Sequence, residues 1–177
     1  GTNITINIYI SILYNKKKYI TFFSRIVDYK RPDLILKLAQ IYNDREFIIM
    51  GGVSKSNKDF AENLKLVIQQ KKLHNVKIIF NPSNLEVQNI LSESFIYLFP
   101  AKNEHFGITT VEAIICNCLP FVHNSGGQKE IVKNNILRFD DENFEIKFDY
   151  LLKLEEHKLF QLLEELKGTL NLFSENS

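Results

Sequence analysis

The sequence predicts an α/β domain: a doubly wound parallel sheet flanked by helices, with further helices at the C-terminal end. The predicted strands are short apolar runs rich in Ile, Phe and Val that do not alternate with polar residues, which is typical of strands buried on both faces. They alternate with helix-periodic segments at ~25–30-residue spacing, the rhythm of consecutive βαβ units. The chain has 177 residues and is 45% apolar, which suits one hydrophobic core. We therefore expect a single domain over residues 1–177.

Residues 1–18 are predicted to be an extended lead-in to this domain. Ile4 to Leu13 alternates apolar and polar side chains, which favours a strand or an extended linker. The strands of the sheet then follow in chain order as Tyr19–Phe23, Glu46–Met50, Val76–Phe80, Phe95–Phe99 and Leu119–His123.

Helices are predicted between these strands from the spacing of apolar side chains. In Arg31–Tyr42, for example, Leu34 and Leu38 fall on one face. Before the third helix, Ser83 and Glu86 have the spacing of a capping box. Leucine spacing predicts further helices over residues 143–177. The other predicted helices are Asp59–Lys72, Leu85–Leu91 and one that opens at Phe106-Gly107.

Bulk composition gives no indication of a nucleic-acid partner. The sequence has 22 Lys and Arg against 21 Asp and Glu, a net charge of +1, so neither sign dominates. No apolar run reaches the ~18 residues needed to cross a bilayer. The two cysteines and four scattered histidines lack the spacing of a zinc site, so we expect no bound metal.

The most informative stretch runs from Phe99 to Ile131. Two predicted strand–loop–helix units follow one another there, and each places small or polar residues directly after a strand. In an open α/β sheet, ligands bind at the carboxyl ends of the strands. Helices that begin there present unpaired N–H groups and a partial positive charge, which suit a phosphate group.

Two carboxylates in this stretch, Glu104 and Glu112, are candidates because of their context. Their spacing alone is weak evidence, since Glu156 and Glu164 repeat it on a polar helix face. Glu104 instead precedes the predicted helix on a loop, and Glu112 lies about five residues into it, ~7.5 Å along the axis. The ribose of a diphosphate docked on the helix N-terminus would lie about that far away, and a carboxylate can accept from its two hydroxyls. The competing interpretation is an exposed Glu on an amphipathic helix.

Three groups of residues together carry a resemblance to a known family. They are Glu104-x7-Glu112 around Phe106-Gly107, then Ser125-Gly126-Gly127-x-x-Glu130, and finally Arg25 with Lys30. This pattern resembles the nucleotide-sugar half of a retaining GT-B glycosyltransferase of family 4. The wording EHFGI and HNSGG is most similar to the mannosyltransferases that extend lipid-linked oligosaccharides with α-1,2-mannose. The resemblance spans Tyr19 to Leu137 and implies a Rossmann-like sheet, one half of the GT-B fold.

The resemblance implies a role for each of these residues. Arg25 and Lys30 would bind the donor diphosphate and stabilise the leaving group, and Glu104 would lie beside the donor sugar near its anomeric centre. Ser24 and Arg31 depart from the family pattern, which has glycine at both positions. The implied donor-binding residues are Phe106, Gly107 and Ile108 for the phosphates, Glu112 for the ribose, Ser125, Gly126 and Gly127 for the sugar, and Phe80 near the nucleobase.

Plainer interpretations of the same residues stay open. Arg25 and Lys30 can be ordinary solvated charges, and Ser125-Gly126-Gly127 can be a tight turn between a strand and a helix. His105 and His123 are weaker candidates, the first beside the sugar or capping a loop and the second packed at a strand end.

The activity implied by the resemblance is transfer of a hexose, with mannose from GDP-mannose favoured, to a glycan or lipid-linked acceptor. It needs no metal or other cofactor and takes place in the cytoplasm, at the cytoplasmic face of a membrane. The N-terminal acceptor domain of such enzymes is absent from this sequence, so we expect the chain to bind donor without turnover. One alternative is a non-catalytic nucleotide-sugar binding or regulatory module. Another is a different Rossmann-like nucleotide protein, against which stands the lack of a G-x-G-x-x-G or P-loop motif.

Overall fold

Six parallel strands form one sheet within residues 2–15 and 17–175, the part of the chain that this computed structural model describes. Their spatial order is β3-β2-β1-β4-β5-β6, so the direction of winding reverses between β1 and β4. This confirms the predicted doubly wound α/β fold. The strands are β1 (Tyr19–Phe23), β2 (Glu46–Gly51), β3 (Val76–Phe80), β4 (Ser94–Phe99), β5 (Leu119–His123) and β6 (Arg138–Phe139).

Helices cover the sheet and close the chain. In order they are α1 (Thr2–Asn15), α2 (Asp33–Ile41), α3 (Lys58–Gln70), α4 (Asn84–Ser92), α5 (Ile108–Ile115), α6 (Gln128–Ile131), α7 (Phe144–Leu152) and α8 (Glu156–Glu175). Short 3-10 turns lie at Asp28–Lys30, Lys55–Asn57 and Asn135–Leu137. The capping box predicted at the start of α4 is present: Ser83 Oγ accepts from the N–H of Glu86, whose carboxylate accepts from the N–H of Ser83.

The prediction of an extended lead-in is wrong for residues 2–15, which form α1. A lone extended segment leaves its N–H and C=O groups without protein partners, whereas a helix pairs them internally. Ile4, Ile6 and Ile8 are exposed on α1, which packs against α8. The alternation of apolar and polar residues was therefore not the pattern of a half-buried strand.

The hydrophobic core lies on both faces of the sheet, and one aromatic cluster secures its β5–β6 end. The ring centroid of Phe139 lies 4.6 Å from that of Phe121 on β5 and 4.7 Å from that of Phe144 on α7. All three side chains are buried, and full burial of a Phe side chain contributes about 1.5–3 kcal/mol. The segment between β6 and α7 is therefore held at both ends by the core.

The end of β2 passes very close to the loop that follows β1. A Cβ on Gly51 would lie 1.5 Å from the carbonyl oxygen of Ser24, so only glycine fits there. The N–H of Ser24 donates to the carbonyl of Met50 at 3.2 Å. This contact sets the course of the β1 loop across the carboxyl edge of the sheet.

Candidate functional site

The carboxyl edge of the sheet carries a cleft of about 320 Å³ where the winding reverses between β1 and β4. Ligands of open α/β sheets bind at such a reversal. The loop after β1 forms one wall and the loop between β4 and α5 forms the other. This switch-point cleft is lined by Phe23, Ser24, Arg25, Lys30, Gly52, Phe99, Glu104, Phe106, Ile108 and Thr109. It brings together the three side chains predicted to be catalytic.

Lys30 and Glu104 form an ion pair across this cleft. The ammonium of Lys30 donates to Oε1 of Glu104, joining the β1 loop to the β4 loop. Lys30 is only 9% exposed, and a buried ammonium is stable only with such a partner. Its Nζ also lies 5.6 Å from the ring centroids of Tyr29 and Phe99. An ammonium has three N–H donors, so this pairing leaves Lys30 able to bind a further anion.

Arg25 lies at the mouth of the same cleft and is exposed. Its guanidinium donates to the hydroxyl of Tyr29 at 2.8 Å. Because that contact uses one of five N–H donors, the group can still reach an anion in the cleft.

Arg31, which replaces a glycine of the family pattern, adopts the backbone conformation that a glycine would favour. Its φ is 63°, in the left-handed region, which costs a non-glycine residue about 1–2 kcal/mol. Its side chain compensates by donating to the carbonyl of Pro100 at 3.0 Å and to Asp141 Oδ1 at 2.9 Å. The loop therefore keeps its turn despite the departure.

Helix α5 begins beside the cleft, as predicted, with Gly107 as its first flanking residue. A Cβ on Gly107 would lie 2.1 Å from Cδ1 of Ile131 on α6, so a side chain there would require the Ile131 side chain to move. Phe106 and Ile108 line the cleft, yet they are 79% and 70% exposed. The first turn of α5 thus presents its N–H groups next to Lys30 and Glu104.

The Ser125-Gly126-Gly127 turn supports the Glu104 loop from below rather than presenting all its N–H groups to a ligand. The N–H of Gly127 donates to the carbonyl of Glu104 at 2.7 Å, and that of Ser125 donates to the carbonyl of His123 at 2.8 Å. A Cβ on Gly126, whose φ is +62°, would lie 2.3 Å from the carbonyl oxygen of Glu104. The glycines are needed here because two loops touch backbone to backbone.

Glu112 lies in a second cleft of about 350 Å³, between α4 and α5. This α4–α5 cleft is lined by Phe23, Asn84, Val87, Gln88, Leu91, Glu112, Ile115 and Cys116. Phe23 lines both clefts, so the two adjoin at the end of β1. Glu112 is exposed on α5, in the fifth position of that helix, as predicted.

Phe80, Glu130 and His105 lie outside both clefts. Phe80 ends the edge strand β3, with the ammonium of Lys65 4.5 Å from its ring centroid. Glu130 is exposed on α6, and His105 is exposed with its ring edge toward Phe106.

A polar network lies behind the cleft around Asp141, which sequence reasoning missed. Asp141 Oδ2 accepts from Lys102 at 2.6 Å, and Oδ1 lies 3.8 Å from His123 Nε2. The hydrogen bond from Lys102 is the main reason that the pKa of Asp141 lies below its ordinary value. His123 Nδ1 bonds Ser125 Oγ at 2.8 Å, and burial lowers the pKa of His123. Sequence reasoning had no signal for it, because β6 has only the two residues Arg138 and Phe139, too few to identify the strand that Asp140-Asp141 follows.

Tyr97 was also missed, because it reads as an ordinary core residue of β4. Its hydroxyl donates to the carbonyl of Phe23 at 3.3 Å and bonds Thr109 Oγ1 at 2.5 Å. Burial raises the pKa of Tyr97 above its usual range, so the hydroxyl stays neutral. Tyr97 thereby fixes two residues that line the switch-point cleft.

Two further properties concern only the part of the chain that the structure describes. No three His, Cys, Asp or Glu side chains there come together as a metal ion would require. None of the helices within residues 2–15 and 17–175 is long and apolar enough to cross a membrane.

Comparison with known proteins places this architecture in a family. The family model described as "Glycosyl transferases group 1" matches residues 5–164. A curated mouse (Mus musculus) relative, GDP-Man:Man(3)GlcNAc(2)-PP-Dol alpha-1,2-mannosyltransferase, is 28% identical over 148 residues. The match covers 78% of this chain and 30% of that relative, so the chain spans under a third of its length.

Solved structures share the fold. The C-terminal domain of the group 1 glycosyl transferase LpcC from Francisella tularensis superposes with a TM-score of 0.72 at 18% identity, covering 88% of this chain and 85% of that one. Anabaena Alr3699/HepE, in complex with UDP and glucose, gives a TM-score of 0.72 at 18% identity, covering 90% of this chain and 46% of that one. The six-stranded sheet and its flanking helices therefore have the fold of the Rossmann-like domain of GT-B glycosyltransferases.

Proposed function

This chain belongs to the group 1 glycosyl transferases, and on that premise we propose that it is the donor-binding half of a retaining hexosyltransferase. Its donor would be a nucleoside-diphosphate sugar, with GDP-mannose favoured. The observation that carries the proposal is the Lys30–Glu104 pair across the switch-point cleft, beside the first turn of α5.

The diphosphate would lie where positive charge converges. Lys30 and Arg25 both line the cleft, and the N-terminus of α5 adds unpaired N–H groups and a partial positive charge. Charge-assisted hydrogen bonds of this kind are worth about 1.5–3 kcal/mol each. The same groups would stabilise the charge that develops on the leaving nucleoside diphosphate, so no metal ion is needed for that task.

The two ends of the donor would extend in opposite directions from this point. The sugar would lie beside Glu104, whose carboxylate can accept from its hydroxyls or steady positive charge at the anomeric carbon. The nucleoside would follow α5 into the adjoining α4–α5 cleft, where Glu112 can accept from the ribose hydroxyls. Phe80 remains a proposed neighbour of the nucleobase, beyond the clefts themselves.

The choice of mannose and of the acceptor rests on likeness alone. The name of the mouse relative specifies GDP-mannose and a dolichol-linked oligosaccharide, and that relative shares 28% identity with this chain. We therefore propose a lipid-linked or glycan acceptor, held by a separate N-terminal domain at the cytoplasmic face of a membrane. The chain by itself is expected to bind donor without sustained transfer.

Calorimetric titration of the chain with GDP-mannose, UDP-glucose, UDP-N-acetylglucosamine and ADP-glucose tests the proposal. We expect one donor to bind in the micromolar to millimolar range, about −8 to −4 kcal/mol, and an Arg25→Ala/Lys30→Ala variant to lose that binding. The matched control is Lys37→Ala/Lys153→Ala, which removes two positive charges from exposed ion pairs away from both clefts. No binding by any donor, or equal binding by both double variants, would refute the proposed site.

A further inference from the structure

We infer that Asp141 is a positioning residue for this site: its carboxylate fastens the loop that carries Lys30 to the loop that carries Glu104. The inference rests on the proposed function for its consequence in donor binding. The fastening itself is a property of the ligand-free protein and can be tested there.

One carboxylate reaches both loops directly. Oδ1 accepts from Arg31 Nη2 at 2.9 Å, and Arg31 is the neighbour of Lys30 in the β1 loop. Oδ2 accepts from Lys102 Nζ at 2.6 Å, and Lys102 lies two residues before Glu104 in the β4 loop. The Lys30–Glu104 pair spans the same two loops on the cleft side. Asp141 therefore closes a ring behind the cleft, which consists of three ion pairs and the backbones of the two loops.

Arg31 strengthens this link because, from its place in the β1 loop, it also bonds the β4 loop directly. Its Nη1 donates to the carbonyl of Pro100, at the start of the β4 loop, at 3.0 Å. Its backbone is in the left-handed region with φ 63°, where a glycine would be free of strain. The guanidinium thus bonds Pro100 and Asp141 together. Because Arg31 directly follows Lys30 in the chain, these bonds also restrict the position of the Lys30 backbone.

Asp141 also lies beside His123, which is hydrogen-bonded to the Glu104 loop through Ser125. His123 Nε2 lies 3.8 Å from Asp141 Oδ1, and His123 Nδ1 bonds Ser125 Oγ at 2.8 Å. Ser125 Oγ accepts in turn from the N–H of Asn103, directly before Glu104, at 2.8 Å. Asp141 thus packs beside the end of β5, while its direct bond to the Glu104 loop is the one from Lys102.

Asp141 can serve as a fixed point because its own segment is anchored. Phe139 before it and Phe144 after it are buried in the aromatic cluster. The N–H of Asp140 donates to Oδ1 of Asn143 at 2.7 Å, which closes the turn between β6 and α7. Isolated exposed ion pairs contribute little, but a carboxylate on an anchored turn that bonds to two loops at once restricts the movement of one loop relative to the other.

Lysine acetylation of the ligand-free protein, read by peptide mass spectrometry, tests the inference. Ion pairing protects the Lys30 amine in the wild type, so we expect Asp141→Asn to raise its acetylation rate about threefold to tenfold. Asp141→Glu, which keeps the charge, should restore most of the protection. Asp149→Asn is the matched control: it removes a carboxylate bonded to Lys153 and Tyr42, so it should release the already exposed Lys153 amine from its ion pair and leave the Lys30 rate unchanged.

A general loosening of the fold would give a different result. Lys17 is partly buried just before β1, at the opposite end of that strand from the switch-point cleft, and donates to the carbonyls of Ser92 and Cys116. Its acetylation rate should therefore rise in the same samples only if the whole domain loosens. Equal Lys30 rates in wild type and Asp141→Asn, or equal increases at Lys30 and Lys17, would overturn the inference.

Donor titration of the same variants separates the inference from the proposed function. Where wild type binds a donor, Asp141→Asn should weaken binding about threefold to tenfold and Asp149→Asn should not. If wild type binds no donor but the Lys30 rate still rises selectively in Asp141→Asn, the fastening by Asp141 holds and the proposed function fails. If donor binds equally to wild type and Asp141→Asn, the proposed function stands and the positioning role is wrong.

Discussion

Gly126 is a residue at which we expect the addition of a single methyl group to be strongly destabilising. Its φ is +62°, and an added Cβ would lie 2.3 Å from the carbonyl oxygen of Glu104 and 2.8 Å from its nitrogen. Gly126→Ala introduces strain, because alanine is unfavourable in the left-handed region, and its methyl group would also displace the Glu104 loop. We expect the free energy of unfolding, measured by urea denaturation, to fall by about 2 kcal/mol or more.

Gly168 supplies the matched control for that substitution. It lies in α8, and a Cβ there would meet nothing within 4 Å. Because alanine has the higher helix propensity, Gly168→Ala should raise the free energy of unfolding by about 0.5–1 kcal/mol. If both substitutions shifted stability in the same direction, the close approach of the two loops would be an incorrect description.

At this scale, the residue types of the site could be predicted but not all of their contacts. Lys30 and Glu104 were identified from local motifs, and the structure brings them together. The motif predicted that the glycine turn would present N–H groups to a sugar, but Gly127 uses its N–H on Glu104. Asp141 was not predicted, because a carboxylate that acts on Arg31 from 110 positions away has no local signature.

Helix α4 is the element whose stability we expect to depend most on a single cap. Ser83 Oγ accepts from the N–H of Glu86 at 3.2 Å, and the Glu86 carboxylate accepts from the N–H of Ser83. Ser83→Ala leaves one of the first N–H groups of α4 without that acceptor. We expect a loss of about 1 kcal/mol in the free energy of unfolding, measured by urea denaturation.

Ser92→Ala, at the other end of the same helix, is the control for the cap. The Ser92 hydroxyl donates back to the carbonyl of Gln88 at 2.7 Å, a local bond that adds little to helix stability. A loss as large in Ser92→Ala as in Ser83→Ala would mean that α4 is not stabilised through its N-terminal cap.

The central elements could be predicted because their own sequences specify them. Apolar runs identify β1, β3 and β5 with the observed bounds. Burial on both faces explains the runs of β1 and β5, whereas β3 is an edge strand whose side chains are only partly buried or exposed. The pattern of α1 was misleading, because β-branched residues that alternate with polar ones favour a strand only where a sheet edge is available. Strand β6 has two residues, too few to show any pattern.

At the scale of the whole molecule, the site is assembled by ion pairs and hydrogen bonds between residues far apart in the chain. One of these residues is a histidine, so the charge of the network depends on pH. His123 sits where these contacts meet, buried at the end of β5. Burial lowers its pKa most, and the charges of Arg31 and Lys102 lower it further, while Asp141 opposes them. The folded protein therefore holds His123 neutral at pH values where an unfolded chain protonates it, at an ordinary pKa of about 6.5.

This shift predicts how the stability of the whole domain varies with pH. Between the ordinary and the lowered pKa the unfolded chain binds more protons, so the contribution of His123 is complete above about pH 7 and is lost as pH falls through that window. We expect urea unfolding at pH 7.5 and pH 5.5 to show a smaller difference in His123→Gln than in wild type. The pKa of Asp141 is also lowered, so its carboxylate stays ionised through this range and does not contribute to the difference.

His157→Gln is the control, because His157 is half exposed at the start of α8 and contacts only Glu155 among the ion pairs described. It should keep the wild-type dependence on pH. The lost Nδ1 contact to Ser125 can lower the stability of His123→Gln at every pH, so the difference between the two pH values is the quantity to compare. If His123→Gln kept the full wild-type difference, protonation elsewhere would govern the acid sensitivity of the fold, and the network behind the cleft would be insensitive to pH in that range.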